Sequence, residues 1–180
     1  PKTIRTPEFA AVANYAYHLN AGKFVKLLHR HCTTKLGVEY ISADVLDVRK
    51  APNGDIAAVI TEQAGEITGD LFIDCTGFQS LLLGKALQVP FKPCNDVLFI
   101  DQAIAVQVPY DTEDAPIASH TISTAQSAGW VWDIGLQSRK GIGYVYSSRH
   151  TNEEKAMDTL ANYVGPEKMA QLSVKKIPIN

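Results

Sequence analysis

The only two tryptophans in the 180-residue chain stand two positions apart, in Gly129-Trp130-Val131-Trp132-Asp133-Ile134. In extended backbone, residues i and i+2 leave the same face. Trp130 and Trp132 therefore project together, and Asp133 points the other way. A second aromatic pair, Tyr144 and Tyr146, follows the stretch Arg139-Lys140-Gly141-Ile142-Gly143, which is expected to turn. The simplest arrangement is a hairpin or meander whose aromatic face covers a core or lines a cavity. Cross-strand aromatic packing alone also accounts for the pattern.

Composition narrows the classes. The length suits one domain, or one domain with part of another. With 46% apolar and 20% charged residues the chain can bury a core. A formal net charge of -2 argues against a dedicated nucleic-acid or membrane-surface binder. No apolar run is long enough to cross a bilayer, and no signal peptide opens the sequence. Cys32, Cys75 and Cys94 have neither metal nor redox spacing and resemble the reduced thiols of a cytoplasmic protein. The chain starts at Pro1 without Met and stops just after Ile177-Pro178-Ile179, so it is expected to be a segment of a longer polypeptide, or its ordered part.

Residues 1–16 carry weak signals, suggesting a lid or a loop with a helical piece. Asn20 is placed to cap a helix in which Phe24, Leu27, Leu28 and Cys32 recur at three- and four-residue steps, ending near Gly37. Short strands are expected at Val38–Ser42 and Val45–Val48. Pro52-Asn53-Gly54-Asp55 is a turn, and Ile56–Thr61 is the returning strand. Ile67–Asp74 is expected as a strand, with Leu71-Phe72-Ile73 buried, followed by a helical piece over Ser80–Leu87. After a connector from Pro90 to Asp96, strands are expected over Val97–Val108 and Ile117–Ala125, separated by an acidic loop, Tyr110 to Pro116. With the two aromatic strands these form a largely antiparallel sheet. Thr151-Asn152-Glu153-Glu154 has the capping-box pattern. Ala156, Met157, Leu160, Ala161 and Val164 form the following helix's apolar stripe, ended by Gly165-Pro166.

Few residues have the spacing of a recognisable catalytic set. His29 and His31 are two apart on a helix and do not face one another, and no third metal ligand accompanies them. His18 suits local structure near the cap, and His120 suits strand lining or packing. Asp74, Asp101 and Asp133 are open to acid–base work, although a loop or cap role is the commoner one. No P-loop, Ser-His-Asp set, Cys-His cluster or glycine-rich dinucleotide fingerprint occurs. The turn Asp74-Cys75-Thr76-Gly77 says more. An apolar stretch ending in small residues exposes backbone N–H groups to a flat or anionic ligand, and it is equally an ordinary connector.

Several stretches together resemble the flavin-dependent tryptophan halogenase family. They are Tyr17-His18-Leu19-Asn20, the run from Gly69 to Phe78, Ser127 to Ile134, and Gly143-Tyr144-Val145-Tyr146-Ser147-Ser148 with the helix after it. The resemblance implies an α/β (α+β) chain, part of an FAD-dependent hydroxylase-like, glutathione-reductase-like fold. Residues 1–90 would belong to the FAD-binding domain and residues 91–180 to the substrate-side sheet and helix region. It implies an enzyme that uses reduced FAD from a separate flavin reductase, O2 and halide to chlorinate or brominate an electron-rich aromatic such as tryptophan or another indole. Hypohalous acid would reach a lysine near the substrate, with a glutamate aiding the step.

By the same resemblance, Val45 is a strand valine lying against the flavin, and Cys75, Thr76 and Gly77 form a second approach to FAD. Trp130 and Trp132 lie between flavin and substrate and block direct oxygenation. Gly135 stands where the family motif has proline, implying a looser backbone. The glycine-rich FAD motif and the lysine are expected upstream of Pro1, and the glutamate and second flavin segment downstream of Asn180. No catalytic residue and no metal ligand is therefore assigned. Two other readings remain: a related flavin monooxygenase, and a non-catalytic binding remnant. The oligomeric state is open, a homodimer being one option.

Overall fold

The computed structural model describes Arg5 and residues 16–179. The expected lid or loop over residues 1–16 thus lies almost wholly outside the described residues. In chain order the regular elements are α1 (Ala21–Lys35), β1 (Val45–Lys50), β2 (Ile56–Thr61), β3 (Gly65–Thr68), β4 (Gln102–Pro109), β5 (Ile122–Gln126), β6 (Gly129–Gly135), β7 (Arg139–Tyr146), α2 (Glu153–Val164), α3 (Pro166–Met169) and β8 (Lys175–Pro178). The chain divides into two compact units, one spanning Leu27–Leu98 and the other Phe99–Ile179 with the residues before Leu27. No helix among the described residues is long and apolar enough to cross a membrane.

Helix α1 starts as its cap predicts: the Asn20 side-chain oxygen accepts from the Lys23 backbone N–H at 3.2 Å. It ends where Leu36 and Val38 both donate to the Cys32 carbonyl, with Gly37 at φ +68°. His29 packs edge-on against Tyr40, centroids 4.5 Å apart, rather than beside His31.

In the unit that contains them, β1, β2 and β3 form an antiparallel meander. The turn between β1 and β2 is the expected one. Gly54 sits at φ +94°, and Asn53 accepts from the Asp55 N–H at 3.1 Å. Two expectations fail nearby. Residues 38–42 are not a strand, and the expected strand Ile67–Asp74 shrinks to β3. Among the described residues no strand pairs with positions 69–74, and Leu71 and Ile73 are exposed. A backbone run this apolar cannot form a ladder without a neighbour. After it come a 3-10 turn, Gly77–Gln79, and a π-helical turn, Leu81–Ala86, where a helical piece was expected.

The other unit is built on a five-stranded antiparallel sheet in the order β5-β6-β7-β4-β8. Its strands differ from the expected ones at several ends. Val97, Leu98 and Phe99 lie outside β4 and are exposed, so that strand begins only at Gln102. Strand β5 runs from Ile122 to Gln126 instead of from Ile117 to Ala125. The expected turn Arg139–Gly143 is the first half of β7. The chain reverses at 136–138, where Leu136 donates to the Arg139 carbonyl at 2.9 Å.

One face of this sheet is the core. Ile104, Val106 and Val108 of β4, Val131 of β6, and Ile142, Tyr144 and Tyr146 of β7 are all buried there. Helix α2 covers them with Ala156 and Leu160, and Met169 of α3 closes one end. This is the expected stripe. Its cap, however, is Asn152 rather than Thr151. The Thr151 N–H still donates to the Ser147 carbonyl, whereas Asn152 is extended and accepts from the Lys155 N–H at 2.9 Å. Gly165, at φ +103°, ends α2 as expected, and Pro166 begins α3.

Candidate functional site

The register of β6 on β7 decides what the aromatic residues do. Val131 pairs with Tyr144 and Trp132 with Gly143. Residues paired across a ladder share a face, so the two aromatic pairs lie on opposite faces and form no common aromatic face. Tyr144 and Tyr146 pack in the core with ring centroids 5.4 Å apart. Burial pushes both phenols above their ordinary pKa, so they stay protonated at neutral pH.

Trp130 and Trp132 occupy the other face, edge to face with centroids 6.4 Å apart. Trp130 is 40% exposed, and Trp132 is half-buried because its indole lies across Gly143. A Cβ on Gly143 would stand 2.1 Å from Trp132 Cζ2 and 2.3 Å from Cη2. No side chain but glycine's leaves room for that ring. The rest of this face carries the small or polar residues Ala103, Ala105, Gly141, Ser123 and Ala125 together with the larger apolar Val145, Ile134 and Ile177.

Asp133 points the other way, as alternation requires. It is 5% exposed, and Lys140 donates to its Oδ2 at 3.3 Å. The pair borders a 340 Å³ cavity with Tyr110, Tyr163 and Lys168 in its lining. The Tyr110 hydroxyl is buried there without a hydrogen-bond partner. Gly135, next along β6, is not loosely held. A Cβ there would meet Ile117 Cγ2 at 2.8 Å and the Tyr110 hydroxyl at 3.1 Å. Whatever freedom glycine gives the backbone at Gly135, the space where a side chain would begin is already filled.

In the unit of residues 27–98, one carboxylate organises the turn. Asp74 Oδ1 accepts from the Thr76 hydroxyl at 2.6 Å and from the Thr76 N–H at 3.1 Å. Its Oδ2 accepts from the Leu82 and Leu83 N–H groups at 2.9 and 3.0 Å. The Thr76 hydroxyl in turn accepts from Leu81 N–H at 2.9 Å. The Thr76 hydroxyl first, then the Leu83 N–H, bring the Asp74 carboxyl down to about 2. Asp74 is therefore a cap, not an acid or base. Cys75, Thr76 and Gly77 are exposed, and Gly77 adopts φ +63° with nothing within 4 Å of where a Cβ would stand.

Val45, on β1, is 41% exposed and pairs with Thr61. Hydrogen bonding ties this strand to the helical turns at its far end, where Lys50 Nζ donates to the Ala86 carbonyl at 3.1 Å. The three cysteines are free thiols. No cluster of three His, Cys, Asp or Glu suited to a metal occurs among the described residues.

Asp101 behaves like Asp74 in the other unit. Burial opposes its ionisation, yet the Ser148 hydroxyl and N–H together hold its carboxyl below the usual range. Sequence reasoning missed the Trp132–Gly143 contact. Its signal was the alternation Gly141-Ile142-Gly143 beside an aromatic strand, which suggested a turn but marks close approach within a strand.

Comparison with known proteins agrees over most of the chain. The sequence profile of the family described as tryptophan halogenase matches residues 2–179. A crystal structure of a tryptophan halogenase from Shewanella frigidimarina superposes with a TM-score of 0.87 at 56% identity, covering 93% of this chain and 32% of that one. The 7-chloro-L-tryptophan 6-halogenase KtzR of Kutzneria is 48% identical over 84% of this chain, and the tryptophan 7-halogenase RebH of Lentzea aerocolonigenes is 40% identical over 87%. The chain spans 29% of the length of each of these two enzymes. It belongs to the tryptophan halogenase family.

Proposed function

We propose that the chain is a segment of a flavin-dependent halogenase. The whole enzyme would use FAD, reduced by a separate flavin reductase, with O2 and halide to halogenate tryptophan or another electron-rich aromatic, in the cytoplasm. The unit of residues 27–98 would contribute to the FAD side and the sheet of residues 99–179 to the substrate side. The observation that carries this reading is the seating of Trp132 on Gly143 beside Trp130, in a chain whose residues 2–179 match the tryptophan halogenase family. A sheet face whose indole is seated by backbone register can keep two compartments apart, because Trp132 packs into the space that Gly143 leaves.

The residues also fit the cofactor. The Cys75-Thr76-Gly77 turn is exposed and held by Asp74, and the space at Gly77 is open to a flat group. The Asp74 charge is spent on four internal hydrogen bonds, so the turn presents no bare carboxylate to an anionic group. Val45 offers an exposed apolar side chain for a ring to lie against. When bound and reduced, FAD would supply the activation of oxygen needed to oxidise halide. The chain's own part is to bind, to orient and to exclude water.

The test is to assay the complete polypeptide containing this segment with FAD, a flavin reductase, chloride or bromide, and tryptophan, reading product by mass. Halogenated product is expected from the unaltered enzyme. Trp130→Ala and Trp132→Ala should lower its yield or bring in oxygenated product. An unchanged yield and product profile in both variants would remove the partition role, and no halogenated product from any indole would overturn the reading itself.

A further inference from the structure

We propose that Gly129 is a positioning residue for the tryptophan pair: it lets the first residue of β6 lie directly on the backbone of β7, and so sets the point from which Trp130 projects toward Trp132. A Cβ on Gly129 would stand 1.9 Å from the Val145 carbonyl oxygen, 2.8 Å from Tyr146 Cα and 2.9 Å from the Val145 carbonyl carbon. All three are backbone atoms of a strand paired on both sides, so no side chain can swing aside to make room. Gly129 lies outside the left-handed region. Glycine is therefore needed here for close approach and not for conformation. The carbonyl that a Cβ would strike belongs to Val145, the ladder partner of Trp130. A displacement at position 129 reaches Trp130 through one peptide bond.

The hairpin shows what holds the strands so close. Gln126 pairs with Gly129, so the loop from β5 to β6 is the two residues Ser127 and Ala128. Neither has a positive φ, although the two-residue turns that match strand twist require one. The loop is instead tied down to β7. The Ser147 N–H donates to the Ala128 carbonyl at 3.0 Å, and the buried Tyr144 phenol is hydrogen-bonded to the Ala128 backbone. These ties, with no Cβ at Gly129 to oppose them, draw the start of β6 onto β7. Trp132 is placed differently, by the space over Gly143. The 6.4 Å edge-to-face contact of the indoles thus depends on two glycines, one beneath the Trp132 ring and one beside the Trp130 backbone. All of these contacts lie within one unit of the chain, and none depends on what covers the sheet. The consequence for the product rests on the halogenase reading; the placement of Trp130 does not.

The experiment follows the fluorine resonances of Trp130 and Trp132 in the complete polypeptide labelled with fluorotryptophan, each assigned by its loss in Trp130→Phe or Trp132→Phe. Gly129→Ala should shift the Trp130 resonance more than that of Trp132. Tyr144→Phe, which cuts one tie and keeps the ring, should shift Trp130 in the same sense but less. Gly141→Ala, where a Cβ meets only an Arg139 atom at 3.9 Å, should move neither. Supplied with FAD, a flavin reductase, halide and tryptophan, Gly129→Ala should change the product profile in the direction that Trp130→Ala changes it.

Three results would overturn the proposal. An unmoved Trp130 resonance in Gly129→Ala, whatever its melting temperature, would leave an ordinary structural glycine. Equal shifts of both tryptophans would mean that β6 moves as a whole. A displaced Trp130 with the product profile of the unaltered enzyme would remove the link to the reaction. If the unaltered enzyme gives no halogenated product, the halogenase reading falls and the resonances alone decide the placement of Trp130. Should Gly129→Ala fail to fold, Tyr144→Phe decides: a shifted Trp130 resonance supports the proposal and an unmoved one overturns it.

Discussion

Trp132 rests on Gly143, its partner across the β6–β7 ladder, with the six-membered ring filling the space where any other residue would place a Cβ. The indole is thus positioned by a missing side chain. This explains why Gly143 is buried on the face that Trp132 occupies.

Gly143→Ala should therefore act through Trp132. The added methyl would overlap three indole atoms within 2.7 Å, and the ring must swing outward. Overpacking of this kind costs roughly 1–3 kcal/mol. The expected result is a lower melting temperature with an altered near-ultraviolet dichroism of the tryptophans. Gly141→Ala, where only the Arg139 side chain lies near, at 3.9 Å, should change neither by a comparable amount.

Asp74 predicts a pH dependence confined to its own turn. Its folded pKa, about 2, lies below the ordinary value of 3.8. A depressed carboxyl contributes stability that is fully present above the ordinary value and is lost as pH falls through the folded one. Amide resonances of Thr76, Leu82 and Leu83 should titrate with a midpoint near 2. A midpoint near 3.8 would show that the four bonds do not hold in solution. Asp74→Ala should abolish the titration and raise hydrogen exchange at Leu82 and Leu83 at neutral pH, leaving β2 protected.

Local signals in the sequence were legible where the chain needs only itself. The Asn20 cap, the Asn53-Gly54 turn and the α2 stripe depend on residues a few positions apart, and all three are present. Signals that depend on a neighbour were misread. The apolar run at Leu71 suggested a buried strand, but a strand needs a partner to pair with, and none is found among the described residues. Gly141 and Gly143 suggested a turn because glycine favours one, whereas their reason lies across the ladder in Trp132. Likewise, the pairing of Asp133 with Lys140 joins two strands and has no signature in either alone.

That pair carries the third prediction. Lys140 is partly exposed, but Asp133 is 5% exposed and has no other ion-pair partner among the described residues. Lys140→Met should leave a buried carboxylate without its counter-charge, at a cost of roughly 1–3 kcal/mol. Adding Asp133→Asn should recover part of the loss, because an amide is cheaper to bury than a charge. Chemical denaturation of both single variants and the double variant measures the coupling. Additive effects would mean that the 3.3 Å contact contributes nothing.

Gly135 stands where the resemblance to the halogenase family leads one to expect a proline, and its surroundings suit glycine. Its φ is not in the left-handed region, so glycine is required here for space rather than for conformation. The space where a side chain would begin is taken by Ile117 and the buried Tyr110 hydroxyl. Restoring the motif's proline by Gly135→Pro should therefore destabilise the sheet, by roughly 1–3 kcal/mol from overpacking, even though proline fits the motif elsewhere. If crowding is the cause, Ile117→Ala should partly rescue Gly135→Pro, although alone it removes apolar contact and destabilises. Thermal melts of the three variants separate the explanations. Rescue assigns the cost to Ile117, whereas its absence assigns it to the Tyr110 hydroxyl or to the lost N–H of proline at the end of β6.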